Sequence, residues 1–272
     1  MKNFKEVKSN LINKLMTCTD NAKQEFAFLC ESLIGINKAE YLIKDTITNG
    51  EYRKLLKAIN KRIKGVPLQL IIGTTDFLGV IIEESKYTLK PRQETMLMVE
   101  KIINTEDKNK TVLDMCAGSG CIGLSLKNAG FKDVTLCDIS GKAIKMMQKN
   151  AKYNRLDVNI VKSNMFNNVS GKYDIIVSNP PYIKSDDINK LSTEVKKYDP
   201  LIALDGGKDG LDFYRILADE ASEYLAESGV LYLEIGQNQE NDIILLLQKH
   251  YKNITIIKDY NNINRIIRAE KC

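Results

Sequence analysis

A stiff corner of hydrogen-bond acceptors is encoded by SNPPYI at residues 178–183, directly after the apolar run YDIIV. A proline pair stops a strand, because proline has no N–H group and a fixed φ angle. The residue before a proline is kept out of the helical region, so Asn179 must be extended. One side-chain amide and several unpaired carbonyl groups therefore stand together at a strand end. The motif alone fits a binding corner or a simple strand terminator.

A second stretch, VLDMCAGSGCIGLSL at residues 112–126, predicts a strand, a glycine-containing turn and a helix. Gly118 and Gly120 would let the backbone approach a ligand at the helix N-terminus. The first position of the G-x-G-x-G pattern is Cys116, so the match to a dinucleotide fingerprint is imperfect. This segment alone does not separate a ligand site from a plain tight turn.

The next predicted strand ends in Asp138, 24 residues after Asp114. A carboxylate at the tip of a second parallel strand is placed to accept both hydroxyl groups of a ribose. The helix after Gly120 supplies no phosphate-binding lysine, and the chain has no Walker pattern. These residues predict a nucleoside cofactor that is held chiefly by its ribose.

A third strand tip carries Asn164, Met165 and Phe166 after Ser163. A polar residue there can bond an adenine edge, and the two apolar side chains can enclose the ring. Ligands of open α/β sheets bind beyond the carboxyl ends of the strands. All four stretches are therefore expected to meet in one crevice.

The first 75 residues have a helical pattern. Phe26, Leu29, Cys30 and Leu33 recur at helical spacing before Gly35. Similar stripes run from Phe4 to Leu15 and from Tyr52 to Ile63, on a lysine-rich background. We predict a small helical bundle here, followed by a β-hairpin or extended connector around Gly79.

Beyond the connector, strand and helix patterns alternate, which predicts a parallel sheet with helices on both faces. The predicted strands are TVLDM (111–115), VTLCD (134–138), NIVKSN (159–164), YDIIVSN (173–179), GVLYLEIG (229–236) and ITIIKDY (254–260). One predicted helix begins after Gly120, and three others cover KAIKMMQKNAKYN, FYRILADEASEYL and DIILLLQKH.

Composition narrows the possible functions. The 272 residues are 43% hydrophobic and 28% charged, with a net charge of +5 that is only weak evidence for a polyanionic partner. The six cysteines are scattered without a CxxC pair, and the single histidine is His250, so no metal site and no Ser-His-Asp hydrolase are expected. No apolar run approaches a membrane span and the start lacks a signal peptide's apolar core, so we expect a cytoplasmic protein.

Together these motifs resemble the class I S-adenosylmethionine-dependent methyltransferases, whose N-P-P-Y element is typical of enzymes that methylate adenine N6, cytosine N4 or a glutamine amide. Over nearly its whole length the chain resembles the protein-(glutamine-N5) methyltransferases of peptide chain release factors, the HemK/PrmC family. Further segments that carry this resemblance are Pro91-Arg92-Gln93-Glu94-Thr95, LDMCAGSG, VSNPPYI, DPLIALDGGKDGLDFYR (199–215) and DYNNINR (259–265). In relatives Cys116 is commonly glycine and Asn164 commonly aspartate, so we expect altered cofactor affinity and retained binding.

The resemblance implies an α/β fold: a Rossmann-like class I methyltransferase with a mostly parallel seven-stranded sheet, a small all-α N-terminal domain and a β-hairpin connector. The implied boundaries are 1–75 for a helical substrate-recognition domain, 76–90 for the connector and 91–272 for the methyltransferase domain. The implied partners are class I release factors; no stable nucleic-acid partner, no membrane and a monomeric state are expected.

The resemblance also assigns residues to the site. Those expected to bind S-adenosylmethionine are Asp114, Cys116, Ala117, Gly118, Ser119, Gly120, Asp138, Asn164, Met165, Phe166 and Asn179. Those expected to bind substrate are Asn179, Pro180, Pro181, Tyr182, Arg92 and Glu94, with Asn179, Pro180 and Tyr182 also catalytic.

The N-P-P-Y corner can act as an acceptor clamp for an –NH2 group. The Asn179 side-chain oxygen and the Pro180 carbonyl can each accept one hydrogen, while Tyr182 packs on the flat amide. The two acceptors localise the nitrogen lone pair and stabilise the positive charge that develops during methyl transfer. No metal and no strong general base is required.

Three alternatives stay open at this point. A nucleic-acid methyltransferase would have to extrude its base and follow phosphates, which favours a dedicated target domain that the short helical bundle does not resemble. A glutamine methyltransferase of a ribosomal protein is a close neighbour. A non-catalytic cofactor-binding module is the third, and the intact Asn179 and Tyr182 argue against it.

Overall fold

The computed structural model describes all residues 1–272, which divide into two compact units. The first comprises residues 1–74 together with 193–198, and the second comprises residues 75–192 and 199–272.

The first unit is a bundle of short helices. Its elements are β1 (Lys2–Asn3), α1 (Phe4–Leu15), α2 (Ala22–Ile34), α3 (Lys38–Ile43), β2 (Thr46–Ile47), α4 (Asn49–Ile63) and α5 (Leu68–Ile72). The predicted stripes form its core, in which Phe26, Leu29 and Cys30 are fully buried. Gly35 ends α2 with φ at +70°, a conformation that glycine adopts without strain. The helical N-terminal bundle is confirmed.

The second unit begins with the predicted hairpin, β3 (Thr74–Phe77) and β4 (Val80–Glu83). Both residues of its turn have positive φ angles, +53° at Leu78 and +80° at Gly79, as a type I′ turn requires. Asn154 bonds the free edge of β4 at Ile81 through both its side-chain oxygen and its nitrogen. The hairpin is thereby fixed to the helix that carries Asn154.

The remaining helices and strands follow the hairpin along the chain. They are α6 (Gln93–Thr105), β5 (Thr111–Met115), α7 (Cys121–Asn128), β6 (Asp133–Asp138), α8 (Gly141–Asn154), β7 (Asn159–Lys162), β8 (Tyr173–Ser178), α9 (Thr193–Tyr198), α10 (Asp212–Tyr224), β9 (Leu225–Glu234), α11 (Glu240–Leu247), β10 (Tyr251–Lys258) and β11 (Asn264–Lys271). Short 3-10 helices cover Ser185–Lys190 and Leu201–Ala203.

The seven large-sheet strands lie in the order β10-β11-β9-β8-β5-β6-β7. Strands β5 to β9 pair in parallel, whereas β11 runs antiparallel to both β9 and β10. Helices α6, α7 and α8 cover one face, and α10 and α11 cover the other. The predicted mostly parallel seven-stranded sheet is confirmed. Among the strands of this sheet and the helices that cover its faces, α6 and β11 were not identified from the sequence.

The strand order reverses between β5 and β8. Chain crossovers from β5 proceed to β6 and β7 on one side, and those that follow β8 proceed to β9 on the other. Such a switch point opens a crevice at the carboxyl ends of the strands. No helix is long and apolar enough to cross a membrane.

Candidate active site

A cavity opens at this switch point, above the carboxyl ends of β5, β6, β7 and β8. The sequence-predicted residues that line it are Cys116, Ala117, Gly118, Ser119, Asp138, Asn164, Met165, Asn179 and Pro181. The structure thus brings together the four stretches that the sequence placed at strand tips.

The turn after β5 is shaped by three left-handed residues. Cys116, Gly118 and Gly120 have φ angles of +61°, +57° and +81°. A positive φ costs a side-chain-bearing residue about 1–2 kcal/mol, so Cys116 holds this turn at a cost that a glycine would not pay. The Ser119 carbonyl accepts a hydrogen bond from Asn150 on α8 at 2.9 Å, which holds the turn against that helix.

Asp138 joins this turn to the next strand. Its Oδ2 accepts the N–H of Gly118 at 2.9 Å, and its Oδ1 accepts the N–H of Ser140 at 2.8 Å. Each carboxylate oxygen has about two lone pairs, so both can accept one further hydrogen bond from a ribose hydroxyl. Burial raises the pKa of Asp138 above its ordinary value, against the lowering effect of these N–H groups. The arrangement fits a bound nucleoside.

Asp114 lies below the turn, outside the lining of the cavity. Its side chain is fully buried, and Oδ2 accepts the N–H of Gly123 at 2.8 Å. Burial raises its pKa to about 8, and the nearby Asp138 adds to the shift. The contact supports the first turn of α7, so Asp114 is placed to shape the cofactor turn from beneath. Direct cofactor binding by Asp114 stays a prediction.

Met165 and Phe166, which were predicted to enclose an adenine ring, point in different directions. Met165 has φ at +44° and lines the cavity, whereas the next residue, Phe166, points into the core and stacks on Tyr224 with ring centroids 4.6 Å apart. Asn164 is exposed at the cavity rim. Only one of the two apolar side chains therefore faces the space where an adenine ring was expected.

Asn179 follows β8 and carries the feature that matters most for chemistry. Its Nδ2 donates to Thr95 Oγ1 at 3.2 Å. The residue lines the cavity, and its Oδ1 is buried and accepts no hydrogen bond from any other group of the protein. Leaving a buried acceptor unpaired costs about 1–3 kcal/mol, so this oxygen is suited to a donor on a ligand.

The backbone behind Asn179 is held by a glycine-rich segment that sequence reasoning did not assign to the site. A Cβ at Gly206 would lie 2.8 Å from the Pro181 oxygen, and one at Gly210 would lie 2.5 Å from the Tyr182 oxygen. Gln239 also donates to that Tyr182 oxygen at 3.0 Å. The two glycines therefore allow the close approach that fixes the corner from behind.

The other predicted substrate residues lie outside the cavity lining. Pro180 is buried beside Asn179, and burial raises the pKa of the Tyr182 hydroxyl to about 12. Arg92 and Glu94 are at the start of α6, where Arg92 pairs with the buried Asp199 at 3.3 Å. Their proposed roles stay predictions. Further lining residues that the sequence did not reveal include Tyr87, Thr88, Leu89, Lys90, Thr95, Ile202, Ala203 and Phe213.

Replacing Gly118 or Gly120 in the turn after β5 should destabilise the protein to different extents. A Cβ at Gly120 would lie 2.8 Å from Leu136 Cδ2 and 3.1 Å from Met147 Cγ, whereas at Gly118 the nearest atom is the Cys116 oxygen at 4.0 Å. Both variants should lose about 1–2 kcal/mol of the free energy of unfolding to the positive φ angle, and Gly120→Ala should lose about 1–3 kcal/mol more because its Cβ would overpack the core. Urea denaturation of both variants measures this difference; equal losses would contradict the packing of the turn.

Comparisons with known proteins agree with this architecture. Residues 91–197 match the methyltransferase small domain model, and residues 9–73 match the PrmC N-terminal domain model. A methyltransferase from Pyrococcus furiosus superposes with a TM-score of 0.56 at 18% identity, covering 82% of this chain and 99% of that one. The fold and the cavity define a class I S-adenosylmethionine-dependent methyltransferase.

Two curated relatives give the family. The release factor glutamine methyltransferase of Thermodesulfovibrio yellowstonii is 35% identical over 260 residues, covering 92% of this chain and 93% of its own. That of Streptococcus pneumoniae is 35% identical over 266 residues, covering 95% of each. This chain belongs to the release factor glutamine methyltransferase family.

Proposed function

We propose that this protein transfers a methyl group from S-adenosylmethionine to the side-chain nitrogen of the glutamine in the Gly-Gly-Gln loop of class I peptide chain release factors. The observation that carries the proposal is the buried, unpaired acceptor oxygen Oδ1 of Asn179, a residue that lines the cavity. The names of the curated relatives support the same substrate.

The cavity residues would hold the cofactor chiefly at its ribose. Asp138 would accept the two hydroxyl groups, and Gly118, which lines the cavity without a Cβ, leaves room for the ligand. When bound, S-adenosylmethionine supplies an electrophilic methyl group on a sulfonium sulfur. The sulfur keeps the electron pair of the broken S–C bond as the new N–C bond forms.

Asn179 would prepare the accepting nitrogen. An amide nitrogen is a weak nucleophile because its lone pair is delocalised into the carbonyl group. By accepting one N–H of the glutamine, Asn179 Oδ1 would favour localisation of that lone pair and stabilise the positive charge that grows on nitrogen. The proton that the methylated nitrogen loses passes to water. A narrow Gly-Gly-Gln loop suits this site, because its two glycines carry no side chains that could collide with Pro181.

A labelled-methyl transfer assay tests the substrate. The enzyme is mixed with labelled cofactor and one of three acceptors: an unmodified release factor, the same factor with its loop glutamine changed to alanine, or adenine-containing RNA and DNA. We expect label only in the unmodified factor, with mass spectrometry placing one methyl group on the glutamine. Label in nucleic acid, or undiminished label in the alanine factor, would overturn the assignment.

A further inference from the structure

An asparagine amide can present either its oxygen or its –NH2 group to a ligand, because the two orientations have nearly the same shape. Only the orientation with Oδ1 toward the cavity makes Asn179 an acceptor. The protein therefore needs a device that selects this orientation. Two buried polar side chains behind Asn179 supply it.

Thr95 and Glu234 form a hydrogen-bonded chain with Asn179. Asn179 Nδ2 donates to Thr95 Oγ1 at 3.2 Å, and Thr95 Oγ1 donates to Glu234 Oε2 at 2.6 Å. Thr95 is in the first turn of α6, and Glu234 is the last residue of β9. Thr95 and Glu234 are only 3% and 2% exposed, so water does not compete for these hydrogen bonds.

We propose that Glu234, acting through Thr95, is a positioning residue that turns the Asn179 oxygen toward the substrate amide. A carboxylate can only accept, so the Thr95 hydroxyl must donate its one hydrogen to Glu234. The Thr95 oxygen then has only lone pairs left for Asn179. Asn179 must point its –NH2 group at Thr95 and its oxygen into the cavity. The inference rests on the proposed function, because it explains how the acceptor for the glutamine amide is set.

The chain of bonds depends on the ionisation of Glu234. Burial raises its pKa to about 7; the Thr95 hydroxyl opposes this shift, Glu94 adds to it, and Arg92 and Arg265 oppose it. When protonated, Glu234 can donate to Thr95, whose hydrogen is then free to point at Asn179. That reverses the chain and brings the Asn179 –NH2 group to the cavity.

The sign of the pH dependence follows. The acceptor orientation belongs to ionised Glu234, which is favoured above a pH of about 7. The single-turnover rate of methyl transfer at saturating cofactor should therefore rise as the pH increases through about 7. The glutamine amide that receives the methyl group does not titrate in this range.

Replacements at Thr95 test the hydroxyl. Thr95→Val should lower kcat by about tenfold, less than the loss of a direct transition-state partner, and leave the Kd for S-adenosylmethionine within about twofold. Thr95→Ser keeps the hydroxyl and should retain kcat within about threefold. Thr105→Val makes the same change at an exposed position of the same helix and should behave like the unchanged protein. An unchanged kcat in Thr95→Val would overturn the proposal.

Glu234→Gln tests the charge. A glutamine can accept from Thr95 with its oxygen or donate to it with its nitrogen, and neither state depends on pH. The rate in this variant should be lower than in the unchanged protein above pH 7 and should lack the rise through about 7. A rise with the same midpoint in Glu234→Gln would assign it to another group and overturn the proposal.

A readout without substrate separates this inference from the proposed function. In protein labelled with 15N at asparagine, the Asn179 side-chain signal is identified by its loss in Asn179→Ala. It should shift with a midpoint near pH 7 in the unchanged protein and stay constant in Glu234→Gln. If the release factor is methylated but the Asn179 signal does not titrate, the positioning role alone is refuted. If the Asn179 signal titrates but the release factor is not methylated, the positioning role is supported and the proposed substrate is refuted.

Discussion

Replacement of Asn179 by alanine is expected to lower kcat for methyl transfer to release factor by about a hundredfold or more. The substitution deletes the buried, unpaired acceptor oxygen of a residue that lines the cavity. Loss of one preorganised partner of a developing charge typically costs about 10²- to 10³-fold in rate. Asp138, which we propose binds the ribose, lies at the end of a different strand and is not changed by the substitution. The Kd for S-adenosylmethionine should therefore change little by comparison.

Rapid-quench measurement of single turnovers, together with calorimetric titration of the cofactor, separates these two effects. Asn104→Ala is a matched control, because Asn104 is an exposed asparagine of the same unit that does not line the cavity. It should retain both kcat and cofactor affinity. An Asn179→Ala protein with normal turnover and lost cofactor binding would reverse the roles given to Asn179 and Asp138.

Regular periodicity made most of the second unit predictable. The strand TVLDM occupies the predicted residues, because β-branched and apolar side chains packed on both faces of a parallel sheet form an uninterrupted run. Strand β11 was missed for the opposite reason. Its sequence NRIIRAEK mixes charged and apolar residues without a regular period, so it also fits an exposed segment. It is an interior strand only because it pairs, antiparallel, with β9 on one side and β10 on the other.

Candidate site residues were predictable where the residue type and its neighbours in the sequence form a recognisable local pattern. Asn179, Asp138 and the glycines were found because prolines, strand-terminal carboxylates and left-handed turns leave local signals. The structure alone revealed Thr95 and Glu234, whose contact joins residues 139 positions apart. No local pattern distinguishes that threonine from an ordinary residue in the first turn of a helix.

The orientation of single side chains was also beyond sequence reasoning. Met165 and Phe166 are both apolar and adjacent, so the sequence gives no reason to separate them. The positive φ angle at Met165 turns the chain, so that one side chain lines the cavity and the other stacks on Tyr224. The direction of a turn depends on what packs around it, which a linear pattern does not record.

Replacement of Asp138 by alanine is expected to weaken S-adenosylmethionine binding by well over tenfold. The two oxygens of this carboxylate each keep capacity for one hydrogen bond after accepting the N–H groups of Gly118 and Ser140. A hydrogen bond to a charged group contributes about 1.5–3 kcal/mol, and each 1.4 kcal/mol is a factor of about ten in Kd. Calorimetric titration with S-adenosylmethionine and with S-adenosylhomocysteine measures the loss for both forms of the cofactor.

Because Asp138 also supports the turn, its loss could act through folding instead of through the ribose. Asp138→Asn addresses this, since an amide keeps one acceptor oxygen for the turn or for the ligand but carries no charge. It should bind the cofactor with an affinity between those of the alanine variant and the unchanged protein. Asp133→Ala changes an exposed aspartate at the opposite end of the same strand and should bind normally. Near-normal affinity in Asp138→Ala, with an unchanged Tm, would remove this carboxylate from the cofactor site.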